Sequence, residues 1–250
     1  MNRFEEKVVL VTGAASGMGR ATCIRLAAEG ASVFGLDVDE SGLAQTKATI
    51  TDSGGLIEVS RCDVSSREQC FEAVDKTVAH FGNLHVLVNV AGIIRFGHTH
   101  LISEQEWNLT MGVNLNGPLF LCQASIPHLL ASKGNIVNVA STAGLIGQAY
   151  CAAYCASKAG LIQLTKAMAM EYCKTSLRVN VVCPGGTDTE MIGGISMPDD
   201  VDGELINRYT PLRGNGQPED IASAIAYIAS DEARMIHGSV FAVDNGGVAG

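Results

Sequence analysis

The chain has 250 residues, a net charge of −9, 47% hydrophobic and 17% charged residues, and 28 glycines. That length and composition suit one sizeable α/β core and exclude a disordered chain. The acidic balance, with no Lys/Arg block, argues against nucleic acid or an anionic membrane as partner.

In chain order, the opening MNRFEEKVVLVTG carries acidic residues where a signal peptide needs its apolar core. No apolar run approaches the roughly 20 residues that span a bilayer, and the chain reads as cytoplasmic. Short apolar runs at 8–12, 32–37, 56–62, 85–90, 135–141, 178–184 and 239–244 read as strands. Between them, 17–29, 40–53, 66–81, 104–131, 150–174 and 218–230 read as helices. Strands alternating with helices imply βαβ crossovers. Continuous apolar strands imply burial on both faces of a parallel sheet. The expectation is an α/β, doubly wound, seven-stranded parallel sheet in a single domain over 1–250. The irregular stretch 186–217, rich in Gly, Pro and acidic residues, reads as a binding loop.

The first strand runs into VTGAASGMGRA, placing Gly13, Gly17 and Gly19 in the spacing G-x-x-x-G-x-G. Strand, glycine turn and helix start bring backbone N–H groups to a pyrophosphate. Asp37 closes the second strand, where a carboxylate accepts from an adenosine ribose and repels a 2′-phosphate. No Arg or Lys stands at 16 or 38–40, so NAD is favoured over NADP. Asp39 is the better candidate to cap the next helix. Asp63 either bonds an adenine amino group or caps the helix after DVSS.

Eight cysteines, at 23, 62, 70, 122, 151, 155, 173 and 183, include no C-x-x-C pair and read as small buried hydrophobes. His98 and His100 lack the spacing of metal ligands and read as solvated; no metal site is expected. The stretch AYCAAYCASKAG, 149–160, repeats Tyr150, Tyr154 and Lys158 every fourth residue. On a helix, Lys158 lies about 6 Å along and 40° around from Tyr154, against about 12 Å and 80° from Tyr150. A free phenol titrates near 10, and a neighbouring ammonium can lower that value. Tyr154 is therefore the better acid/base, and Tyr150 reads as a pocket wall, a helix-start residue or plain surface. Gln148 and Met191 are further pocket candidates.

T-G-x-x-x-G-x-G from Thr12, D-V at 63–64, N-x-A-G at 89–92, Asn114, Ser141, Y-x-x-x-K at 154–158 and P-G at 184–185 follow one another. This set resembles the short-chain dehydrogenase/reductase family, in its single-domain branch of about 250 residues, over residues 5–248. The resemblance implies a Rossmann-type fold and a nicotinamide cofactor held by Gly13, Ser16, Gly17, Met18, Gly19, Asp37, Asp63, Val64, Asn89, Ala91, Gly92, Tyr154, Lys158, Pro184, Gly185 and Thr187. It implies that Ser141 polarises the reacting oxygen, Tyr154 moves the proton, and Lys158 also holds the nicotinamide ribose. Asn114 is then a helix-kink residue holding a water in a relay to Lys158. The activity implied is NAD-dependent interconversion of a secondary alcohol and a ketone. A 3-oxoacyl-thioester reductase is the alternative, and a catalytically silent cofactor-binding interaction protein the reading from another class. Relatives are commonly homotetramers. Met191, Ile192, Ile195 and Met197 hint at an apolar small-molecule substrate. Asp199, Asp200, Asp202 and Glu204 disfavour a strongly anionic one if they face inward. Two positions depart from the family pattern: Val90, where an asparagine supports the sheet, and Asn245, where a glycine is usual.

Overall fold

Seven runs rich in Val, Ile and Leu pair side by side in the computed structural model, which describes residues 2–193 and 197–249. They are β1 (Val8–Thr12), β2 (Ser32–Asp37), β3 (Leu56–Arg61), β4 (Val86–Asn89), β5 (Asn135–Val139), β6 (Arg178–Pro184) and β7 (Val240–Val243). The sheet order is β3-β2-β1-β4-β5-β6-β7, and every pairing is parallel. Because β1 pairs with both β2 and β4, the winding reverses there. A crevice opens at the carboxyl ends of these two strands, the place where open α/β sheets take ligands.

Alternate side chains explain the unbroken apolar runs. Val9, Val11, Val33, Val86 and Val88 face α1 (Gly17–Ala28), α2 (Glu40–Asp52) and α9 (Pro218–Ala229). Leu10, Phe34, Leu36, Leu87 and Ile136 face α3 (Arg67–Phe81), α5 (Gly117–Ser132) and α6 (Ala152–Glu171). Both faces are therefore dry, and all five residues of β1 are buried. Asp39 does cap α2, accepting from Ser41 N at 3.0 Å. The cap of α3 is Ser66, not Asp63.

Three boundaries differ from the sequence reading. The helix expected over 104–131 is two, α4 (Glu104–Met111) and α5, joined by a π turn at Gly112–Asn116. Pro118, four residues after Asn114, has no N–H for the Asn114 carbonyl. A Cβ on Gly117 would stand 2.8 Å from the Val64 carbonyl oxygen, so the chain passes β3's end as glycine. The helix expected from 150 starts at Ala152, because Tyr150 has φ +65° and cannot be helical. Loop 186–217 holds two short helices, α7 (Glu190–Gly193) and α8 (Gly203–Asn207), and is pinned by a bridge between Thr187 and Gly216. Among the described residues, no helix is long and apolar enough to cross a membrane.

Candidate active site

The turn after β1 is built by glycine where nothing larger fits. Gly13 has φ +69°, and a Cβ there would stand 3.1 Å from the Ala91 nitrogen. A Cβ on Gly19 would collide with the Gly13 carbonyl. This close approach brings the N-terminus of α1 to the crevice mouth. Thr12 ties the turn to β4: its buried hydroxyl accepts from the nitrogens of Val90 and Ala91, each at 3.0 Å. Val90 itself is buried in the apolar core. Next to it, the buried Asn89 Oδ1 has no hydrogen-bond partner among the described residues.

A cleft of about 240 Å³ runs from this turn. Gly13, Ser16, Gly17, Met18, Gly19, Asp37, Asp63, Val64, Ala91 and Gly92 all line it. Asp37 is oriented by three backbone donors. Its Oδ2 accepts from Ala15 N at 3.0 Å, and its Oδ1 from Val38 N at 2.7 Å and Asp39 N at 3.1 Å. Asp63, on the cleft wall, accepts through Oδ1 from the Ser65 nitrogen and hydroxyl at 2.9 and 2.7 Å. Arg20, beside the turn, is engaged. Its guanidinium donates to the Ala15 carbonyl, the Thr46 hydroxyl and the Gln45 side chain.

Beside the cleft stands a group of side chains drawn from the ends of β4 and β5, the π turn and α6. Ser141 follows β5 and caps a 3-10 turn at Thr142–Gly144, accepting from Ala143 N at 3.1 Å. Its hydroxyl stands close enough to the Tyr154 phenol to favour the ionised form of that group. Lys158, one turn on, is buried, and its Nζ donates to the Val139 carbonyl at 2.9 Å and lies 5.7 Å from the Tyr154 ring centroid. A Cβ on Gly92 would stand 3.3 Å from both Lys158 Nζ and Asn114 Oδ1, so the amine borders the cleft wall. Asn114 is fully buried, and its amide grips Ile93: Oδ1 accepts from Ile93 N at 2.8 Å and Nδ2 donates to Ile93 O at 2.9 Å. Nδ2 also donates to Ser157 Oγ at 3.1 Å.

The expected lowering of the phenol by Lys158 is absent in the unliganded chain. Burial pushes Tyr154 up to about 12, with the Ser141 hydroxyl opposing it. Burial likewise brings Lys158 down to about 8. The amine faces the Val139 carbonyl rather than the phenol, which accounts for its small effect on Tyr154. At neutral pH the pair is a protonated phenol beside a still largely cationic amine.

Other sequence candidates fall in different places. Asn89 lies behind the cleft, donating to Asn138 Oδ1 at 2.8 Å, which in turn reaches Thr165. Pro184 ends β6. A Cβ on Gly185 would stand 2.8 Å from Asp244 Cα. Thr187 is buried with its hydroxyl on the Gly185 carbonyl. Thr189 and Met191 from the same segment do line the cleft, Thr189 against Gly17. Thr189 went unnoticed in the sequence; its only signal is a second threonine two residues further along the loop. Tyr150 precedes α6 and is held by contacts outside that helix. Its ring meets His98 edge-on at 5.3 Å, and its hydroxyl accepts from Asp202 N at 2.9 Å. His98 is not simply solvated, since Nε2 stands 2.9 Å from Asp200 Oδ1. Gln148 caps no pocket strongly; its amide reaches Thr142 Oγ1 at 3.5 Å. Asp199, Asp200, Asp202 and Glu204 are all exposed. Of the apolar loop candidates, Met197 is partly exposed; the Ile192 side chain and Ile195 lie outside what is described. Six cysteines are buried as expected, but Cys155 is half-buried and Cys173 exposed. Among the described residues no cluster could hold a metal.

A glycine cradle that a Cβ would fill, an oriented carboxylate and a helix N-terminus fit a dinucleotide, and the fold and cleft define a dinucleotide-binding oxidoreductase. A family model described as enoyl-(acyl carrier protein) reductase matches residues 13–247. The chain is 37% identical to a 3-oxoacyl-(acyl-carrier-protein) reductase of Thermotoga maritima, over 98% of both chains. It is 36% identical to a cyclohexanol dehydrogenase of an Acinetobacter species, over 97% of this chain and 95% of that one. The crystal structure of levodione reductase superposes with a TM-score of 0.90 at 30% identity, over 98% of this chain and 99% of that one. The chain belongs to the short-chain dehydrogenase/reductase family, whose members use a nicotinamide cofactor.

Proposed function

We propose that this chain interconverts a secondary alcohol and a ketone with NAD, on a small and fairly apolar molecule. The observation that carries this reading is the grouping of Ser141 and Tyr154 with Lys158, whose amine borders Gly92 on the wall of the cleft that Asp37 also lines. Gly13, Ser16, Gly17, Met18 and Gly19 would hold the pyrophosphate. Asp37 would hold the adenosine ribose, Asp63 and Val64 the adenine. Ala91, Gly92 and Lys158 would border the nicotinamide half, with Asn89 supporting them from behind and Pro184, Gly185 and Thr187 setting the course of the loop over it. The cofactor supplies what the side chains lack, a centre that accepts or delivers hydride. Ser141 donates to the substrate oxygen and orients it. Tyr154, a neutral phenol at pH 7, gives its proton to that oxygen during reduction and takes it back during oxidation. Lys158, cationic at that pH, favours the phenolate that remains, and Asn114 anchors the loop at Ile93 behind it.

NAD is favoured over NADP by charge. A 2′-phosphate beside Asp37 would meet a carboxylate held in place by three backbone N–H groups, and Arg20 is engaged elsewhere. The same argument weighs against the second reading, 3-oxoacyl-thioester reduction with NADPH, which the Thermotoga relative supports. We further assign segment 186–217 as the substrate loop of a single catalytic domain, and expect a cytoplasmic homotetramer.

Nicotinamide absorbance tests the reading: cyclohexanol with NAD and an acetoacetyl thioester with NADPH are compared on the native chain and on Tyr154→Phe. Tyr154→Phe should lower kcat by about 10²–10⁴-fold while NADH still binds. Undiminished turnover in Tyr154→Phe would overturn the mechanism, and a preference for NADPH would overturn the role of Asp37. Binding without turnover of any alcohol or ketone would point to the silent interaction protein.

A further inference from the structure

The second half of the substrate loop is tied to the rest of the molecule by a small set of polar contacts that none of the chemistry above requires. Tyr150 stands at φ +65°, a left-handed conformation that a bulky residue adopts at a cost of about 1 kcal/mol or more. Strain of that kind persists only where the surroundings hold it, and three contacts do. The Gly97 nitrogen donates to the Tyr150 carbonyl at 2.9 Å, the Tyr150 ring stands edge-on to His98, and the Tyr150 hydroxyl accepts from the Asp202 nitrogen at 2.9 Å. The conformation therefore aims the phenol of Tyr150 at the start of α8. Two more contacts act on the same segment. His98 Nε2 meets Asp200 Oδ1 at 2.9 Å, and the Tyr209 hydroxyl donates to the Ala149 carbonyl at 3.3 Å.

We propose that His98 and Tyr150 are positioning residues that hold segment 198–209 against the reactive end of the cleft, the hold strengthening when the His98 imidazole is protonated. The inference rests on the reading of 186–217 as the substrate loop. Tyr150 and Ala149 lead directly into α6, four and five residues before Tyr154, so the segment is docked on the chain that enters the helix carrying the acid/base. His98 approaches from the other side, in the stretch that follows β4 and carries Ile93. The two sides of the substrate space are thus joined through a single segment.

The sign of the pH effect follows from the charged groups around His98. Asp200 faces it directly, and His98 holds the Asp200 carboxyl below the usual carboxylate range, so Asp200 stays ionised throughout the range in which histidine titrates. His100, with its ring 5.7 Å away, opposes a second positive charge. Glu106, lining the same recess with Leu101 and Pro198, favours it. The Tyr150 ring is neutral and edge-on. With the imidazole protonated the contact is an ion pair; with it neutral it is a neutral hydrogen bond. The pair is solvent-exposed on the Asp200 side, so the gain is modest, about two- to five-fold in the population of the docked segment.

Hydrogen–deuterium exchange read by mass spectrometry, corrected for the intrinsic pH dependence of amide exchange, tests this on the full chain without any substrate. Segment 198–209 of the native protein should exchange about two- to five-fold more slowly at pH 6 than at pH 8.5. Asp200→Asn and His98→Gln should abolish that difference, because neither can form the ion pair. Tyr150→Phe should speed exchange at the Asp202 amide at both pH values. A second arm measures cyclohexanol oxidation at pH 6.5: Asp200→Asn should raise KM about two- to five-fold with kcat nearly unchanged. Exchange in Asp200→Asn that tracks the native protein at both pH values would overturn the proposal. An enzyme that oxidises no alcohol would instead count against the proposed function, while the exchange arm still decides the hold. His98 and Asp200 lie at the surface, so their replacement leaves the core intact, and thermal melts of each variant confirm it.

Discussion

The two ends of the cleft are made from different materials. One end, the end proposed to take the adenosine half, lies within residues 12–64 and is mostly backbone: a turn whose shape is set by glycines, a helix N-terminus, and two aspartates oriented by main-chain N–H groups. The reactive end is mostly side chain, drawn from positions 92 to 158, and its working groups are displaced from their ordinary protonation behaviour by burial. At the first end substitution acts through space and is close to all-or-none. At the second it acts through charge and can be graded. Binding is thereby built into the chain's course, while chemistry stays adjustable by single side chains.

The sharpest way to break that contrast is Gly19→Val. Any Cβ there runs into the Gly13 carbonyl, and a branched one leaves no rotamer that avoids it. NADH affinity measured by fluorescence titration should fall by more than about 100-fold, roughly the loss of two or more good backbone hydrogen bonds to a charged group. Affinity within three-fold of the native chain would show that close backbone approach is not what makes the site. Lys158→Met comes next. Turnover should fall by about 10²–10³-fold, within the range for a group acting on proton transfer, whereas the fold should tolerate the change.

Lys158→Met also carries a pH signature. Burial holds the Lys158 amine at about 8, below its unfolded value of 10.5. Between those values the unfolded chain binds a proton that the folded chain does not, so this group makes stability rise with pH. Below pH 8 both states are protonated and the full cost of the buried charge remains. Thermal melts of the unliganded protein should therefore show the native chain gaining on Lys158→Met from pH 8 to pH 10. A constant gap over that interval would mean that the amine keeps its ordinary behaviour. Above pH 10 Tyr154, raised to about 12, acts in the opposite sense: the folded phenol keeps a proton that the unfolded one has lost, and stability falls. Asp37→Ala has a smaller effect again. It removes the repulsion toward a 2′-phosphate, and the NAD/NADP affinity ratio should drop about ten-fold, corresponding to roughly one charged interaction of 1.4 kcal/mol.

Much of this was legible in the residues because local rules agree with the global fold. Glycine at 13, 17 and 19 after VVLVT can hardly mean anything but a strand entering a tight turn, and Tyr154 and Lys158 at i, i+4 share a face of any helix. The strands were found because both faces of the sheet are dry, which writes continuous Val and Leu into the sequence. What escaped was set by groups distant in the chain. Nothing local says that Tyr150 takes a left-handed conformation; Gly97, His98 and Asp202 hold it there. The π turn at 112–116 was hidden because periodicity reads through a single inserted residue, and only Asn114 with Pro118 hinted at it. The direction of the Tyr154 shift was missed for a similar reason. Spacing places a cation near the phenol but is silent about which acceptor, here the Val139 carbonyl, takes the ammonium.

The smallest expected effect is that of Asn245→Gly. Asn245 has a φ of +54°, one that glycine adopts freely, asparagine tolerably and alanine poorly. Its Nδ2 donates to the Gly214 carbonyl at 2.9 Å at the protein surface. Asn245→Gly trades one term for the other, losing a solvent-exposed hydrogen bond while relieving the backbone, and should change stability by no more than about 0.5 kcal/mol. Asn245→Ala loses the hydrogen bond and keeps the strain, and should cost about 1–2 kcal/mol, or a few degrees in Tm for a chain of this size. This ordering, glycine above alanine, separates a backbone role from a side-chain role at a single position. The turn also bears on the cleft. Asp244 packs directly on Gly185, at the start of the loop that reaches Thr189. If Asn245→Ala loosened that packing, KM would rise together with the fall in Tm. If Tm fell alone, the turn would matter only to the fold, and the division between a backbone-built end and a side-chain-built end would hold down to this last residue.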